Sequence, residues 1–428
     1  MIATVSPSAL SGSLQAPPSK SCTQRACAAA LINNGTTVID NAGRSNDEQA
    51  AIHIVQKLGA AVEVTKKQVV ITSNPHLFSS NYPGKHTVIT VGESGLSLRM
   101  FAPLAALFRH EITLTGEGSI LSRPVGFFEE VFPQLGVDVQ THDGKVPLFI
   151  QGPIQPKSIT VDGSLSSQFL TGLLMAYAKA CKTPATITVN HLASKPYIDL
   201  TLDILQQFGF SIENEDYRKF HVLPRKKYSD HSVKYTVEGD WSNIALLLVG
   251  GAIAGGITVK GAMIHSSQGD RRIIQALEDS GAQLKITQNA VTVSGKGLKA
   301  FDFDATDAPD LFPPLVALAA YCKGTSTIRG VNRLLHKESN RAKTLQSEFA
   351  KMHVPVDLQQ DLMVIKGGHA VRGAAVSSHN DHRIAMACAV AALGATGKTV
   401  ISHADAVRKS YPGFFDDLRK LKAAVQVS

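Results

Sequence analysis

The stretch PPSKSCTQRACAAALINNGTTVI, residues 17–39, decides the fold. It opens on Ser19, Lys20 and Ser21, continues as a run made mostly of alanine, and ends at a Gly/Thr turn into β-branched residues. A helix of small apolar residues with no polar face is expected to be buried, and the β-branched run that follows is typical of a strand. Its polar residues stand at the helix N-terminus, where free backbone N–H groups and the positive end of the helix dipole emerge. The stretch therefore predicts a buried helix whose exposed end carries cations.

This pattern occurs six times along the chain. Taking Lys20, Gly95, Ser166, Asp240, Asp307 and Asn380 as markers, the steps between repeats are 75, 71, 74, 67 and 73 residues. In each repeat a second helix follows, with apolar residues at i, i+3, i+4 and i+7, and this helix should keep one face in solvent. Such regular spacing indicates six copies of one supersecondary unit.

The natural packing is three repeats per domain, with the apolar helices inside and the sheets and amphipathic helices outside. The predicted fold class is therefore α/β (α+β), a two-domain inside-out α/β barrel. We expect repeats one to three to form a domain over residues 19–237. Repeats four to six are expected to form a discontinuous domain from residues 1–18 plus 238–428, to which the first residues supply a strand.

Composition indicates an ordinary globular protein. Of the 428 residues, 44% are hydrophobic and 18% are charged. The first residues lack the basic region and apolar run of a secretory signal, and residues 244–259 are too short and glycine-rich for a bilayer span. The five cysteines are scattered through apolar segments, and no His or Cys spacing is typical of a metal site. We expect a cytoplasmic protein without membrane contact or a transition-metal site.

The formal net charge of +8 predicts anionic partners. Aromatic residues make up only 6% of the chain, and Lys and Arg do not cluster with them. The one basic run, residues 225–234, resembles a solvated loop. Small phosphorylated ligands are therefore favoured over nucleic acid.

Eight short motifs together resemble the family of 5-enolpyruvylshikimate-3-phosphate synthase (3-phosphoshikimate 1-carboxyvinyltransferase). They are, in chain order, PPSKSCTQR, SGLSLR, SRPVG, DGSLSSQFLTGLLMA, SKPYIDLTLDIL, EGDWS, HKESNR and NDHRIAM. The resemblance runs from about residue 10 to residue 420, and it implies two domains of three βαβαββ units each. It also implies transfer of the enolpyruvyl group from phosphoenolpyruvate to the 5-hydroxyl of shikimate 3-phosphate with release of phosphate, without metal or organic cofactor. A monomer is the default expectation for the oligomeric state.

The resemblance carries site residues over onto matching positions of this chain. Phosphoenolpyruvate is expected to bind Lys20, Gly95, Arg123, Gln168, Arg341, Arg383 and Lys409. Shikimate 3-phosphate is expected to bind Lys20, Ser21, Arg25, Ser166, Ser167, Gln168, Ser194, Tyr197, Asp310 and Lys337. In the catalytic roles, Asp310 accepts the proton of the attacking hydroxyl, Glu338 lies close to the methylene group that gains and loses a proton, and Lys20, His382 and Lys409 assist.

The loop that contains Gly95 departs from the family pattern. Where relatives usually read G-N-(A/S)-G-T, this chain has Glu93 and Leu96, and Met100 replaces a common proline one turn later. A carboxylate here adds negative charge close to an expected anion site, so it must be paired or turned away. We expect these changes to weaken the binding of glyphosate, the family's phosphoenolpyruvate-competitive inhibitor, more than that of the substrate.

Two other functions fit parts of the sequence. A sister enolpyruvyl transferase acts on UDP-N-acetylglucosamine, but it usually carries a reactive cysteine in a loop that here reads TGEGSILSRP, residues 115–124. An RNA end-processing or binding protein built on related repeats would explain the basic charge, and it predicts strongly salt-dependent RNA affinity.

Overall fold

The computed structural model describes residues 1–66, 68–79, 85–164, 166–225, 232–335 and 337–428. Most of the basic run, residues 226–231, lies outside these ranges. The chain divides into two compact units. One, the continuous unit, is Pro18–Val237, and the other, the discontinuous unit, combines Met1–Pro17 with Glu238–Ser428.

The described ranges contain twelve α-helices. They are α1 Lys20–Ile32, α2 Asn46–Lys57, α3 Gly95–Ala105, α4 Phe127–Val131, α5 Ser167–Ala180, α6 Lys195–Gln207, α7 Trp241–Ala254, α8 Ile273–Asp279, α9 Phe312–Tyr321, α10 Arg341–Lys351, α11 His382–Ala392 and α12 Phe414–Lys420. Short 3-10 helices span Pro75–Phe78, Gly118–Ser122, Pro133–Leu135, Gly269–Arg272, Pro309–Leu311, Val331–Leu334 and Ala404–Lys409.

The strands of the first half of the chain are β1 Ile2–Val5, β2 Leu10–Gln15, β3 Gly35–Asp40, β4 Ala61–Val64, β5 Gln68–Ser73, β6 Thr87–Thr90, β7 Ile112–Thr115, β8 Asp138–His142, β9 Lys145–Gln151, β10 Ile159–Asp162, β11 Ala185–Asn190, β12 Ile212–Glu215 and β13 Lys219–Val222. Those of the second half are β14 Val233–Thr236, β15 Gly255–Lys260, β16 Gln283–Thr287, β17 Ala290–Ser294, β18 Asp302–Asp304, β19 Gly324–Arg329, β20 Val356–Gln359, β21 Leu362–Gly367, β22 Ala375–Ser377, β23 Thr399–Ser402 and β24 Val425–Val427.

Each repeat builds one four-stranded sheet, so the described residues form six. The continuous unit holds β14-β3-β5-β4, β6-β7-β9-β8 and β10-β11-β13-β12, and the discontinuous unit holds β2-β15-β17-β16, β18-β19-β21-β20 and β22-β23-β1-β24. In the second repeat β6 and β7 pair in parallel, and β9 joins them antiparallel. A parallel pair needs a crossover connection, and the apolar helix α3 provides it.

Burial separates the two kinds of helix as the sequence predicts. Every residue of α3 and of α11 is buried. By contrast, α6 buries only five of its 13 residues, on one face. Since a helix without a polar face is stable only inside a core, the odd-numbered helices fill the interior of each unit. The arrangement confirms the predicted inside-out α/β fold class.

Both units are closed by strands from distant parts of the chain. In the continuous unit β14 pairs in parallel with β3, nearly 200 residues earlier. In the discontinuous unit β2 pairs in parallel with β15, and β1 lies between β23 and β24. Residues 1–17 thus supply two strands rather than the one expected.

No helix in the described ranges has both the length and the apolarity needed to cross a bilayer. All five cysteines are buried and free of disulfides.

Candidate functional site

In the discontinuous unit, Asp310 is the centre of a cluster of charged residues. It lies in the 3-10 helix that leads into α9. Its Oδ1 accepts hydrogen bonds from Arg341 Nη1 at 2.8 Å and Lys337 Nζ at 3.3 Å, and its Oδ2 accepts one from Arg383 Nη2 at 2.9 Å. We call Asp310 with these three cations, Glu338 and Asp381 the Asp310 cluster. Three sequence-predicted cations therefore meet at one predicted carboxylate.

The N-termini of two helices position these cations. Arg341 is the first residue of α10 and its side chain is fully buried. Asp381 is the N-cap of α11: its Oδ1 accepts the Arg383 N–H at 3.0 Å, and its Oδ2 accepts Arg341 Nε at 3.0 Å. A third carboxylate, Glu338, accepts from Arg341 Nη2. Because Arg341 contacts three carboxylates, it joins α10, α11 and the start of α9.

Burial and charge act in opposite directions on these groups. Burial by itself raises the pKa of Asp310, but Arg383, Lys337 and Arg341 outweigh it and hold that pKa well below its usual value. Burial lowers the pKa of Lys337, opposed by Asp310. For Arg341, burial is outweighed by the carboxylates of Asp381, Glu338 and Asp310, so its pKa is raised. The cluster thus balances three cations against three carboxylates, and both of its Arg side chains stay charged.

Asp270 adds a fourth carboxylate beside the cluster. It is buried in the 3-10 helix before α8 and accepts a hydrogen bond from Ser242 Oγ in the first turn of α7. Burial first, and then the charge of Asp310, raise the pKa of Asp270 to about 6, while Arg383 opposes them. The sequence analysis did not identify Asp270.

Lys409 and His382 both lie close to the N-terminus of α11. Lys409 ends the 3-10 helix Ala404–Lys409, and its Nζ donates to the Asn380 carbonyl at 2.6 Å. His382 is the first residue of α11 and is buried, with Nδ1 4.0 Å from Asp381 Oδ1. Both predicted residues therefore lie at the α11 N-terminus.

In the continuous unit, the N-termini of α1, α3 and α5 are joined by side chains. Gln24 of α1 places its Nε2 2.7 Å from Ser94 Oγ and 2.9 Å from Ser97 Oγ, at the start of α3. Arg99 of α3 donates from Nη1 to Gln168 Oε1 of α5 at 3.0 Å. Polar side chains thus hold three buried helix ends together.

The cations Lys20 and Arg123 lie beside these ends. Lys20 Nζ is 2.7 Å from Asp47 Oδ2, at the start of α2. Arg123 follows the 3-10 helix Gly118–Ser122, and a Cβ added to Gly95 would lie 2.3 Å from its Nη1. Only a glycine at position 95 lets the guanidinium approach the first turn of α3 this closely.

Arg25 is buried between α1 and α6. Its Nε donates to Thr201 Oγ1 at 2.9 Å, and its Nη1 and Nη2 donate to the carbonyls of Ser21 and Tyr197 at 3.1 and 3.3 Å. Burial lowers the pKa of Arg25 to about 10. These bonds connect three of the residues that the resemblance assigns to shikimate 3-phosphate.

The remaining predicted residues stand at helix N-termini. Ser166 is the N-cap of α5, where its Oγ accepts the Gln168 N–H at 3.1 Å, and Ser167 is the first helical residue. Ser194 is the N-cap of α6 and has a left-handed backbone, with φ of 59°. The described residues contain no group of three His, Cys, Asp or Glu side chains that could hold a metal ion.

Several residues of these groups were missed by the sequence analysis: Gln24, Asp47, Arg99, Asp270 and Asp381. Two of them could have been identified from the sequence. Asp381 precedes two predicted residues in NDHR and is a typical N-cap, and Gln24 is next to Arg25 in the opening stretch. Arg99 ends the motif SGLSLR but was not assigned a role, whereas nothing in their local sequence distinguishes Asp47 and Asp270 from ordinary helix residues.

Comparisons with known proteins agree with this architecture. Residues 5–418 match the model of the family described as EPSP synthase (3-phosphoshikimate 1-carboxyvinyltransferase). The 3-phosphoshikimate 1-carboxyvinyltransferase of Clostridium kluyveri is 36% identical over 418 residues, covering 98% of this chain and 96% of that protein. The protein of the same name from Thermococcus kodakarensis is 38% identical over 411 residues, covering 96% and 97%.

Two solved structures have the same fold. EPSP synthase from Acinetobacter baumannii superposes with a TM-score of 0.82 at 24% identity, over 100% of both chains. The enolpyruvyl transferase NikO from Streptomyces tendae superposes with a TM-score of 0.78 at 17% identity, over 99% of this chain and 98% of that one. With a family model and relatives that match over nearly its whole length, the chain belongs to the EPSP synthase family, the 3-phosphoshikimate 1-carboxyvinyltransferases.

Proposed function

We propose that this chain transfers the enolpyruvyl group of phosphoenolpyruvate to the 5-hydroxyl of shikimate 3-phosphate, and that the Asp310 cluster performs the proton transfer at that hydroxyl. The single observation that supports this role best is Asp310 itself, a carboxylate that accepts hydrogen bonds from Lys337, Arg341 and Arg383. A base surrounded by cations suits a reaction whose substrates carry a carboxylate and two phosphates.

The reaction needs protons at two atoms. The methylene carbon of phosphoenolpyruvate gains a proton while the hydroxyl oxygen bonds to the adjacent carbon and gives up its own, which forms a tetrahedral intermediate. The methyl group then returns a proton, and the carbon–oxygen bond to phosphate breaks, which leaves the enol ether and inorganic phosphate. One acid, one base and dense positive charge are therefore required.

Asp310 becomes a better base when the substrates bind. In the ligand-free chain its pKa is held well below the usual value by three cations, so it is ionised but weakly basic. Substrate anions compete with Asp310 for the same Arg and Lys side chains, and each cation that turns to a substrate raises the pKa of Asp310. Substrate binding thus prepares the base that the chemical step uses.

Glu338 is proposed to exchange the methylene proton. It contacts Arg341, whose charge stabilises its ionised form, so its protonation is coupled to the anion that Arg341 binds. Lys409, on the Asn380 carbonyl, and His382, at the α11 N-terminus, are proposed to stabilise the departing phosphate. Lys20 is proposed to neutralise charge on both substrates.

The remaining assignments follow the chemistry of the side chains. Arg123, Arg341 and Arg383 have planar forks that suit carboxylate and phosphate, which supports their role at phosphoenolpyruvate. Gly95 and Gln168 supply a backbone N–H and an amide at helix N-termini, where anions are favoured. For shikimate 3-phosphate we propose Ser21, Arg25, Ser166, Ser167, Gln168, Ser194, Tyr197 and Lys337, in addition to Lys20 and Asp310.

We also propose that the protein works as a monomer in the reducing cytoplasm. All of the proposed residues come from one chain, and all five cysteines are free thiols. Sedimentation with both substrates present tests the oligomeric state.

The function is tested by measuring inorganic phosphate release. The wild type should release phosphate only when phosphoenolpyruvate and shikimate 3-phosphate are both present. Asp310→Ala should lower the rate by about 10²- to 10⁴-fold, the usual contribution of a general base. Asp416→Ala removes an exposed carboxylate of α12 and should leave the rate within about twofold, as is usual for surface changes.

Two outcomes would contradict the proposal. A wild type that releases no phosphate from this pair would overturn it, and release with UDP-N-acetylglucosamine instead would support the sister enolpyruvyl transferase. Full activity of Asp310→Ala would remove Asp310 from the proton transfer.

A further inference from the structure

We propose that Glu93 positions Arg123, and that through Arg123 it sets the affinity for phosphoenolpyruvate. This inference rests on the proposed function and assigns a role to a residue that departs from the family pattern. Glu93 lies in the loop between β6 and α3, and Arg123 ends the segment that follows β7.

Two hydrogen bonds join the loop to that segment. The Glu117 N–H donates to the Gly92 carbonyl at 2.8 Å, and the Ser119 N–H donates to Glu93 Oε2 at 3.1 Å. The second bond has a carboxylate oxygen as its acceptor, and such bonds are the stronger kind. The carboxylate expected to disturb an anion site is therefore turned toward a backbone donor.

Gly118 shows how closely the carboxylate packs on the segment. A Cβ added to Gly118 would lie 2.3 Å from Glu93 Oε2, and the Gly118 backbone is left-handed, with φ of 53°. Any other residue would push the carboxylate away and strain the backbone. Glu93 and Gly118 thus form a matched pair.

The segment continues directly into Arg123. The Arg123 N–H donates to the Ile120 carbonyl at 3.1 Å, which closes the last turn of the 3-10 helix Gly118–Ser122. Its side chain is buried, and the distance of 2.3 Å from an added Gly95 Cβ to Nη1 leaves no room for a methyl group. A small movement of Ser119 therefore moves the guanidinium relative to Gly95 and to Arg99, whose Nη1 is 3.3 Å from the same Cβ.

This arrangement separates the effects expected on the two substrates. Arg123 and Gly95 belong to the proposed phosphoenolpyruvate set alone, whereas Gln168, which accepts from Arg99, is shared by both proposed sets. Arg25, at the proposed shikimate 3-phosphate residues, bonds instead to α1 and α6. Loss of the Glu93 contact should then raise the KM for phosphoenolpyruvate and leave the KM for shikimate 3-phosphate nearly constant.

The test uses full-length variants Glu93→Ala, Glu93→Gln and Gly118→Ala, with Glu117→Gln as the control. Glu117 is exposed and is the N-cap residue of the same 3-10 helix, but its side chain makes no capping hydrogen bond, so its change removes the same charge without the contact. Glu93→Ala should raise the KM for phosphoenolpyruvate about tenfold, as expected for loss of one charge-assisted hydrogen bond. Glu93→Gln, which keeps a carbonyl acceptor, should recover part of that loss.

A double-mutant cycle distinguishes loss of the Glu93 contact from a non-specific loss of structure. Gly118→Ala should reproduce the KM effect, and the double variant with Glu93→Ala should be no worse than either single one, because both break the same contact. Amide hydrogen exchange over residues 117–123, which needs no turnover, should quicken in Glu93→Ala and not in Glu117→Gln.

An unchanged KM in Glu93→Ala, unchanged exchange, or an equal effect of Glu117→Gln would each overturn the positioning role. A wild type without activity would refute the proposed function instead. The exchange experiment would still test whether the Glu93 contact orders residues 117–123.

Discussion

Asp270 is buried and Asp310 is partly buried, and the surroundings of these two carboxylates of one unit move their pKa values in opposite directions. Asp310 accepts from three cations and stays ionised, whereas burial and the charge of Asp310 raise the pKa of Asp270 to about 6. A carboxyl group beside the Asp310 cluster thus takes up its proton near pH 6 instead of near pH 4. Such a pair affects stability and catalysis differently as the pH changes.

Asp270→Asn should make the protein less sensitive to pH. Because the pKa of Asp270 is about 6 in the folded chain and about 3.9 in an unfolded one, the folded state binds more protons between these values. Stability from this group is therefore full below pH 4 and falls as the pH rises to 6. Relative to the wild type, Asp270→Asn should gain of the order of 2–3 kcal/mol between pH 4 and pH 7.

Urea unfolding at these two pH values measures the difference. Asparagine can still accept from Ser242, so the comparison isolates the charge. A constant difference between variant and wild type would contradict the raised pKa.

The packing around Gly95 gives a prediction on inhibition. Leu96 and Met100 are buried one turn apart on α3, the helix that begins at the glycine Arg123 approaches. A residue change near such a tight contact should affect glyphosate more than the substrate, because glyphosate has one more atom between its phosphorus and its carboxylate. Glyphosate should therefore inhibit weakly, with an inhibition constant above the KM for phosphoenolpyruvate.

Steady-state inhibition of the wild type and of Leu96→Thr tests this expectation. The variant should lower the ratio of inhibition constant to KM severalfold. Tight inhibition of the wild type would show that residues 96 and 100 have no such effect.

The site residues that were predictable are those whose chemistry is unusual for their position. Lys20 and Arg383 lie in the first turn of an apolar helix, where the positive end of the helix dipole disfavours a cation. A cation at such a position therefore indicates a bound anion or another functional role. Asp47 and Arg99 could not be identified in this way, because their partners Lys20 and Gln168 are 27 and 69 residues away. Only the folded packing of several helix ends brings them together.

Among the secondary-structure elements, the turn before α11 is the one that orders most of the Asp310 cluster. His379 and Asn380 both have left-handed backbones, with φ of 51° and 57°. Buried Glu348 of α10 holds this turn, since it accepts the Ser377 N–H at 2.8 Å and lies 2.8 Å from His379 Nε2. In this turn the Asn380 carbonyl points toward Lys409 and accepts a hydrogen bond from its Nζ.

Glu348→Gln should therefore weaken both stability and activity. It removes charged hydrogen bonds inside the unit, which should cost about 1–3 kcal/mol. It should also slow phosphate release severalfold, because Lys409, Asp381 and Arg383 depend on the turn. Urea unfolding and the phosphate assay measure the two effects, and Glu278→Gln on exposed α8 serves as the control.

Loss of stability without loss of rate would mean that Glu348 only supports the fold. Loss of both in the control would mean that the effect is not specific to this turn.

Helices were easier to predict than strand partners. The repeat identified the buried helices because an apolar run with a polar opening is a local signal. Strand pairing depends on which edges meet, and the sequence of β14 contains nothing that specifies β3 as its neighbour. The same holds for β1, whose position between β23 and β24 was not predicted.

Across the whole chain, the connection between the two units is part of how each unit closes. The continuous unit needs β14, its last strand, to complete the sheet of its first repeat. The discontinuous unit takes β1 and β2 from residues 1–17, although its other elements begin after residue 238. The continuous unit is complete only when the chain reaches β14 at its end, and the discontinuous unit only when the chain has returned to it after residue 237.

This topology predicts how fragments should fold. Residues 18–237 contain every described strand of their unit and should unfold cooperatively, whereas residues 18–225, without β14, should lose stability at the exposed edge of β3.

Residues 238–428 lack the strand between β23 and β24, so two unpaired edges should promote aggregation. A peptide of residues 1–17, added in trans, should restore a soluble, cooperatively folded unit. Circular dichroism with urea unfolding, and sedimentation of each fragment, measure these outcomes. Cooperative folding of residues 238–428 alone would contradict the requirement for β1 and β2.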